Sequence, residues 1–265
     1  MGRKRHMKRN LTLAVLCLAA LAIAATAMAR RDNDKVHLRV GDLVIVGRGG
    51  FRPEALPKFK DAPIMIYGGG KVSTISGELP PVLDTITFEL DRHGHAETRG
   101  LEVCRAQELQ ATDVPAARRA CPNAIVGKGY GTAIVKFPEQ GPIPASSPIT
   151  LFNGPKKHGN DTFLAHAFTT VPVSTTFIVP VEIEKINKGV YGYRVHAKIP
   201  KIAGGYGHPI SGRIKVKREW KFKGQTLSYV NARCETGRLQ AKGKFTFKDG
   251  TRLTGTFFRP CKVRK

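Results

Sequence analysis

The feature that most limits what this chain can fold into is a long run of short, alternating segments joined by glycine-bearing turns. Through the second half they read Ile149–Phe152, Phe163–Val171, Phe177–Ile186, Val190–Ile199, Arg213–Phe222, Thr226–Arg233, Leu239–Phe247 and Arg252–Phe258. Asn187-Lys188-Gly189, Lys223-Gly224-Gln225 and Asp249-Gly250 stand between some of them. In each, glycine supplies the positive φ that a tight hairpin needs, and strands joined this way are antiparallel. Alternation of apolar with polar residues gives a strand one buried and one wet face. The first half repeats the pattern at Val36–Val46, Ile64–Tyr67, Thr85–Leu90 and Ala124–Phe137. Only Ala106–Ala120 has helical composition, and Pro115 either breaks it or starts its second half. Many short strands with frequent turns predict an all-β fold, an antiparallel two-sheet β-sandwich over residues 36–265 with one helical excursion. The Pro- and Gly-rich stretch Pro138–Pro148 reads as a long hairpin loop or, alternatively, as the boundary of two smaller β domains.

The N-terminus places Arg3, Lys4, Arg5, Lys8 and Arg9 before an apolar run from Leu11 to Ala25 and the small-residue site Ala27-Met28-Ala29. That is the order of a secretory signal peptide, here residues 1–29, and the run is shorter than the roughly 20 residues a spanning helix needs. Residues 30–35 are expected to be a loose start of the mature chain, which contains no other membrane-spanning segment. Export predicts a secreted or cell-envelope location, where thiols oxidise. Cys104, Cys121, Cys234 and Cys261 remain after cleavage. Their even number predicts two disulfides, and proximity in sequence favours Cys104–Cys121 and Cys234–Cys261. Without C-x-x-C spacing they do not read as a metal site, and paired thiols are not nucleophiles.

Charge is unevenly spread. Residues 30–150 carry 16 Lys and Arg against 14 Asp and Glu, whereas residues 151–265 carry 23 against 6. Strand periodicity sorts many of these cations onto single faces. Arg213, Lys215, Lys217, Lys221 and Lys223 lie opposite Ile214, Val216, Trp220 and Phe222, with Arg218 out of phase at a bulge or strand end. Arg194 and Lys198, with His196, oppose Tyr193, Val195 and Ala197, and Lys242, Lys244 and Lys248 oppose Phe245 and Phe247. Same-face neighbours on a strand stand about 6.5–7 Å apart, a spacing commensurate with a charged polymer. These ten cations are therefore the candidate anion-binding residues. Lysine on the wet side of a strand also serves simply as a solvated face that blocks edge-to-edge pairing.

Other motifs have plainer readings. Asp91-Arg92-His93-Gly94-His95 has metal-like composition, but Asp-x-x-Gly after a strand is turn chemistry. His166 sits in an apolar strand and reads as a buried structural histidine. Gly127-Lys128-Gly129-Tyr130-Gly131-Thr132 leads into a strand, so it offers phosphate no helix N-terminus. No G-x-S-x-G, H-E-x-x-H, S-x-x-K or calcium-loop pattern occurs, so no catalytic residue, metal or cofactor is assigned. Aromatic residues are sparse on the basic faces, which argues against nucleic acid as a specific partner.

The order Leu101-Glu102-Val103-Cys104, Cys121-Pro122-Asn123-Ala124-Ile125-Val126-Gly127-Lys128-Gly129, Leu151-Phe152-Asn153-Gly154, Ile199-Pro200-Lys201-Ile202-Ala203-Gly204-Gly205 and Ala232-Arg233-Cys234 resembles a group of exported bacterial β-rich proteins with no assigned activity. The resemblance implies export and paired cysteines and transfers no functional residue. The expected function is a non-enzymatic module that binds an anionic cell-wall polymer or acidic glycan through its basic C-terminal sheet. The alternatives are a secreted hydrolase with a site built from distant loops and an adhesive sandwich that binds another protein.

Overall fold

A computed structural model describes residues 35–264 and the backbone of 30–32. The signal-peptide reading of residues 1–29 and its cleavage after Ala29 lie outside the described residues. In the first half the strands are β1 (Arg30–Asp32), β2 (Lys35–Val40), β3 (Leu43–Arg52), β4 (Ala55–Pro57), β5 (Ala62–Pro63), β6 (Met65–Thr74), β7 (Leu83–Asp91) and β8 (Gly94–Ala96). Two short helices, α1 (Ala106–Leu109) and α2 (Val114–Ala120), precede β9 (Ile125–Val135), β10 (Ile143–Lys157), β11 (Asn160–Thr169), β12 (Thr175–Lys188) and β13 (Tyr191–Lys198). The chain ends with β14 (Gly207–Val216), β15 (Glu219–Phe222), β16 (Gln225–Ser228), β17 (Val230–Ala232), β18 (Arg238–Phe247), β19 (Arg252–Pro260) and β20 (Lys262–Arg264).

The β-rich character holds, with 63% of the chain in strands and 8% helical, but the architecture differs from the expected sandwich. One sheet runs β1-β2-β3-β6-β14-β9-β10-β11-β12-β13-β7-β18-β19, with every neighbouring pair antiparallel. Strands β2 to β19 curl into a nearly closed barrel of 12 strands. Closure stops short of a hydrogen-bonded seam because β2 already pairs with β3 on one edge and with β1 on the other. The seam is instead packed: a Cβ on Gly255 of β19 would lie 2.3 Å from Leu38 of β2, and one on Gly47 would lie 3.2 Å from Phe257. Arg30–Asp32, expected to be loose, forms the strand that occupies this edge.

The halves of the chain interleave in this sheet. β6 and β9 of the first half flank β14 of the second, and β7 lies between β13 and β18. Residues 138–142 form only the turn of the β9–β10 hairpin, whose ladder continues through Pro144 and Pro148.

Strand direction gives the barrel two unlike ends. Long excursions leave one of them: residues 53–64, 92–124, 217–237 and the C-terminal segment. Both disulfides form there as expected, Cys104–Cys121 with Cα atoms 5.7 Å apart and Cys234–Cys261 with Cα atoms 5.9 Å apart. Paired thiols indicate an oxidising, extracytoplasmic environment. This stapled end is filled by Phe51, Leu56, Ile64, Leu151, Tyr229 and Val230, against which inward Ile66, Ile149, Ala165 and Val216 pack. Toward the other, short-turn end, Leu38, Ile45, Val72, Leu83, Phe247 and Leu253 make a second core between neighbouring strands of one arc.

The helical excursion lies outside the barrel wall. Asp113 caps α2 by accepting from the Ala116 amide at 2.7 Å, and Pro115 sits in its first turn, so the proline starts the second helix. Leu109, Ala117 and the Cys104–Cys121 bridge cover outward-facing Phe152 and Leu164. Beyond this patch, outward positions of β7, β13 and β18 are polar: Thr85, Thr87, Glu89, Arg194, His196, Lys198, Lys242 and Lys244. A lipid-facing barrel carries a continuous apolar band there. Among the described residues no helix is long and apolar enough to cross a membrane.

Candidate anion-binding surface

The barrel separates the ten candidate cations into three places. β14 and β7 are six strands apart in a ring of 12, so their outer faces look in opposite directions. Arg194, Lys198, Lys242, Lys244 and Lys248 belong to the side built from β13, β7 and β18. Arg213 and Lys215 belong to the side built from β3, β6, β14 and β9. Lys217, Lys221 and Lys223 lie on or beside the β15–β16 hairpin at the stapled end, because the strand read as Arg213–Phe222 ends at Val216 and a new one begins at Glu219. Arg218, the residue out of phase, falls in that break.

On the β7 side, three carboxylates, Asp84, Glu89 and Glu184, pair with some of the cations. Glu89 stands cross-strand from both Arg194 and Lys242. It accepts from Lys188 Nζ at 3.1 Å and Arg194 Nη2 at 3.4 Å, and Arg194 Nη1 donates to Glu184 at 2.8 Å. Burial pushes the Glu89 carboxyl up, but Lys188 and then Arg194 outweigh it and hold the group below the usual carboxylate range. Lys248 pairs with Asp84, whose carboxyl is lowered chiefly by that hydrogen bond. Carboxylates thus stand among the cations of this face, although Lys198, Lys242 and Lys244 have no ion pair of their own among the described residues.

The β14 side is different. Arg213 lies directly opposite Gly69, which in turn lies opposite Arg48 of β3. Lys215 lies directly opposite Lys128 on one side and Tyr67 on the other. Lys71 stands in the next row, opposite Ser211. Arg48, Lys71, Lys128, Arg213 and Lys215 are all exposed and, among the described residues, none has an ion pair. Arg213 instead lies 5.5 Å from the centre of the Tyr130 ring. Directly opposed like charges weaken a strand pair, so Lys215 beside Lys128 is a local cost borne without a counterion. Glycine lets the strands carrying these cations come close: a Cβ on Gly129 would lie 2.4 Å from the Arg213 carbonyl, and one on Gly69 would lie 2.6 Å from the Gly212 carbonyl. Arg48, Lys71 and Lys128 escaped sequence reasoning because strand neighbours far apart in the chain, β3–β6 and β14–β9, bring them to Arg213 and Lys215.

No protein family, no curated protein and no solved structure matches this chain.

The remaining motifs resolve as scaffolding. Asp91 accepts from the His93 amide in the turn before β8, and His93 bridges Asp91 at 2.7 Å and Glu235 at 2.9 Å. Arg233 extends the chain to Asp61, 3.3 Å away, and Asp61 lies 3.5 Å from His95. This network ties the β7–β8 turn to the segment next to Cys234. His166 is fully buried under the helices, with Nε2 3.1 Å from both the hydroxyl and the carbonyl of Thr112. Burial is the main cause that lowers its pKa, so the ring is held neutral. One cluster of metal-ligand types occurs among the described residues, Cys104, Glu108 and Cys121, and its cysteines are consumed by the disulfide. Two surface hollows, of about 470 and 360 Å³, are lined by Arg99, Phe222 and Lys223 and by Arg52, Met65 and Lys217. Neither gathers a histidine or a pair of carboxylates, the groups that acid–base hydrolysis requires.

Proposed function

We propose that the protein is an exported, non-enzymatic binding module that holds an anionic cell-envelope polymer, with repeating phosphate or carboxylate groups, on the outer face of β3, β6, β14 and β9. The observation that carries this reading is the group Arg48, Lys71, Lys128, Arg213 and Lys215, exposed together with no carboxylate among them. The charged-apolar-small order of the N-terminus and the two disulfides support export. Successive outward residues Arg213 and Lys215 offer cations about 6.5–7 Å apart along the strand, and neighbouring strands repeat them about 5 Å apart across it. Such a lattice meets a polymer of regularly spaced anions at several points at once, and each contact releases condensed counterions. Tyr67 and Tyr130, set among the cations, add flat surfaces for sugar or polyol units.

The purified mature chain should bind poly(glycerol phosphate) teichoic acid immobilised on a surface, with an affinity that falls at least tenfold between 50 and 300 mM salt, and should leave a neutral glucan unbound. Equal retention of both polymers, or binding indifferent to salt, would remove the basis for the proposal.

A further inference from the structure

We infer that the middle of the barrel is an apolar lumen that takes a linear fatty-acyl chain. Its clearest sign is that β14 is wet on both faces. Arg213 and Lys215 are exposed outward, yet inward Gly212 and Ile214 are exposed as well, Ile214 at 37%. The inward sense is fixed by Val216, two residues on, which packs into the stapled-end core.

Glycines give a second, independent sign. A Cβ built on Gly212 meets nothing within 4 Å, and one on Gly68 meets only a backbone oxygen at 3.8 Å. The wall here is bare, and no residue from across the barrel packs onto it. The far wall includes Val195 and Phe88 and is only half-buried. Protein atoms therefore leave open the space between a smooth glycine wall and an aromatic wall.

Its chemistry follows from the cross-strand rows. Gly68, Ile214, Gly129, Ile149, Ala167 and Phe177 form one continuous inward row over six strands. Val195, Phe88, Gly243 and Gly255 form another. Neither row holds a charged side chain, so an occupant must be apolar along its length. Replacing water against such walls is favourable in proportion to the apolar surface covered. Strands bound the space on all sides and a core closes the stapled end, so it runs along the barrel axis and suits a chain. At the short-turn end the loops expose Ile75 at 56%, Val171 at 38%, Val173 at 65% and Tyr206 at 45%, an apolar rim for a chain to cross.

The test is a titration of the disulfide-intact mature protein with cis-parinaric acid, whose fluorescence rises in an apolar site. A saturable, one-to-one rise that persists in 1 M salt is expected, since salt screens the outer cations and leaves the lumen untouched. Gly212→Leu and Ile214→Trp, which project side chains into the open space, should each weaken binding at least tenfold with an unchanged circular-dichroism spectrum. Arg213→Gln should leave it unaltered. No saturable binding, binding lost in salt, or wild-type affinity in whichever of the two filling variants is folded would overturn the inference. Failure here would leave teichoic acid binding intact, because the two sites lie on opposite faces of the same strand.

Discussion

Two glycines and one histidine show how single residues set this fold. Gly129 and Gly212 both face the barrel interior, but a Cβ would press within 2.4 Å of a carbonyl at the first and meet nothing within 4 Å at the second. Gly129→Ala should therefore lower stability by about 1–3 kcal/mol through forced strand separation, while Gly212→Ala should stay within about 0.5 kcal/mol of the parent in urea titrations. His166 makes stability depend on pH. Its folded pKa lies below the unfolded value of about 6.5, so its contribution is complete above that value and is lost as pH falls through the folded one. His166→Leu should flatten the loss of thermal stability between neutral and mildly acidic pH, read from melting temperatures across that range. The buried role of His166 was legible from its apolar strand, and the turn role of Asp91 from its spacing to Gly94, because both depend on near neighbours. The partners of Arg213 and Lys215 were not, because no local pattern says which distant strand will lie alongside.

At the scale of elements, hairpins were readable and their assembly was not. Strands such as Leu239–Phe247 and Arg252–Phe258 emerge within a residue or two of their expected ends, since Asp249-Gly250 fixes the turn and alternation fixes the register. β10 starts well before its expected Ile149, because Pro144 and Pro148 are accommodated within a strand that composition marks as loop. The helical excursion at Ala106–Ala120 and the Cys104–Cys121 bridge that brackets it were both expected from sequence. Its bridge closes a loop of 17 residues, and replacing Cys104 and Cys121 by alanine should cost about 2–4 kcal/mol. The loss should begin locally: amide exchange should accelerate in α1 and α2, which rest on the wall through Leu109 and Ala117, before it does so in β18 and β19.

Across the whole molecule, a sandwich and a barrel share the same alternating strands and hairpins, and differ only in whether the sheet's last strand returns to its first. Here that return depends on Leu38 over Gly255, a contact between residues more than 200 positions apart that no periodicity announces. Gly255→Val should break the seam and destabilise the protein by about 1–3 kcal/mol, measured by chemical denaturation. Curling the sheet also decides the charge pattern: it sets the cations of β14 against those of β13 and β18 on opposite sides, and places Asp84, Glu89 and Glu184 only among the latter. The central claim is thus that one side of the barrel, and not net charge, binds polymer. Its most direct test compares teichoic acid affinity of Lys128→Gln/Arg213→Gln/Lys215→Gln with that of Lys198→Gln/Lys242→Gln/Lys244→Gln, two variants that each remove three positive charges. The first should bind at least tenfold more weakly than the parent and the second within about twofold of it, whereas equal losses in the two would contradict the account.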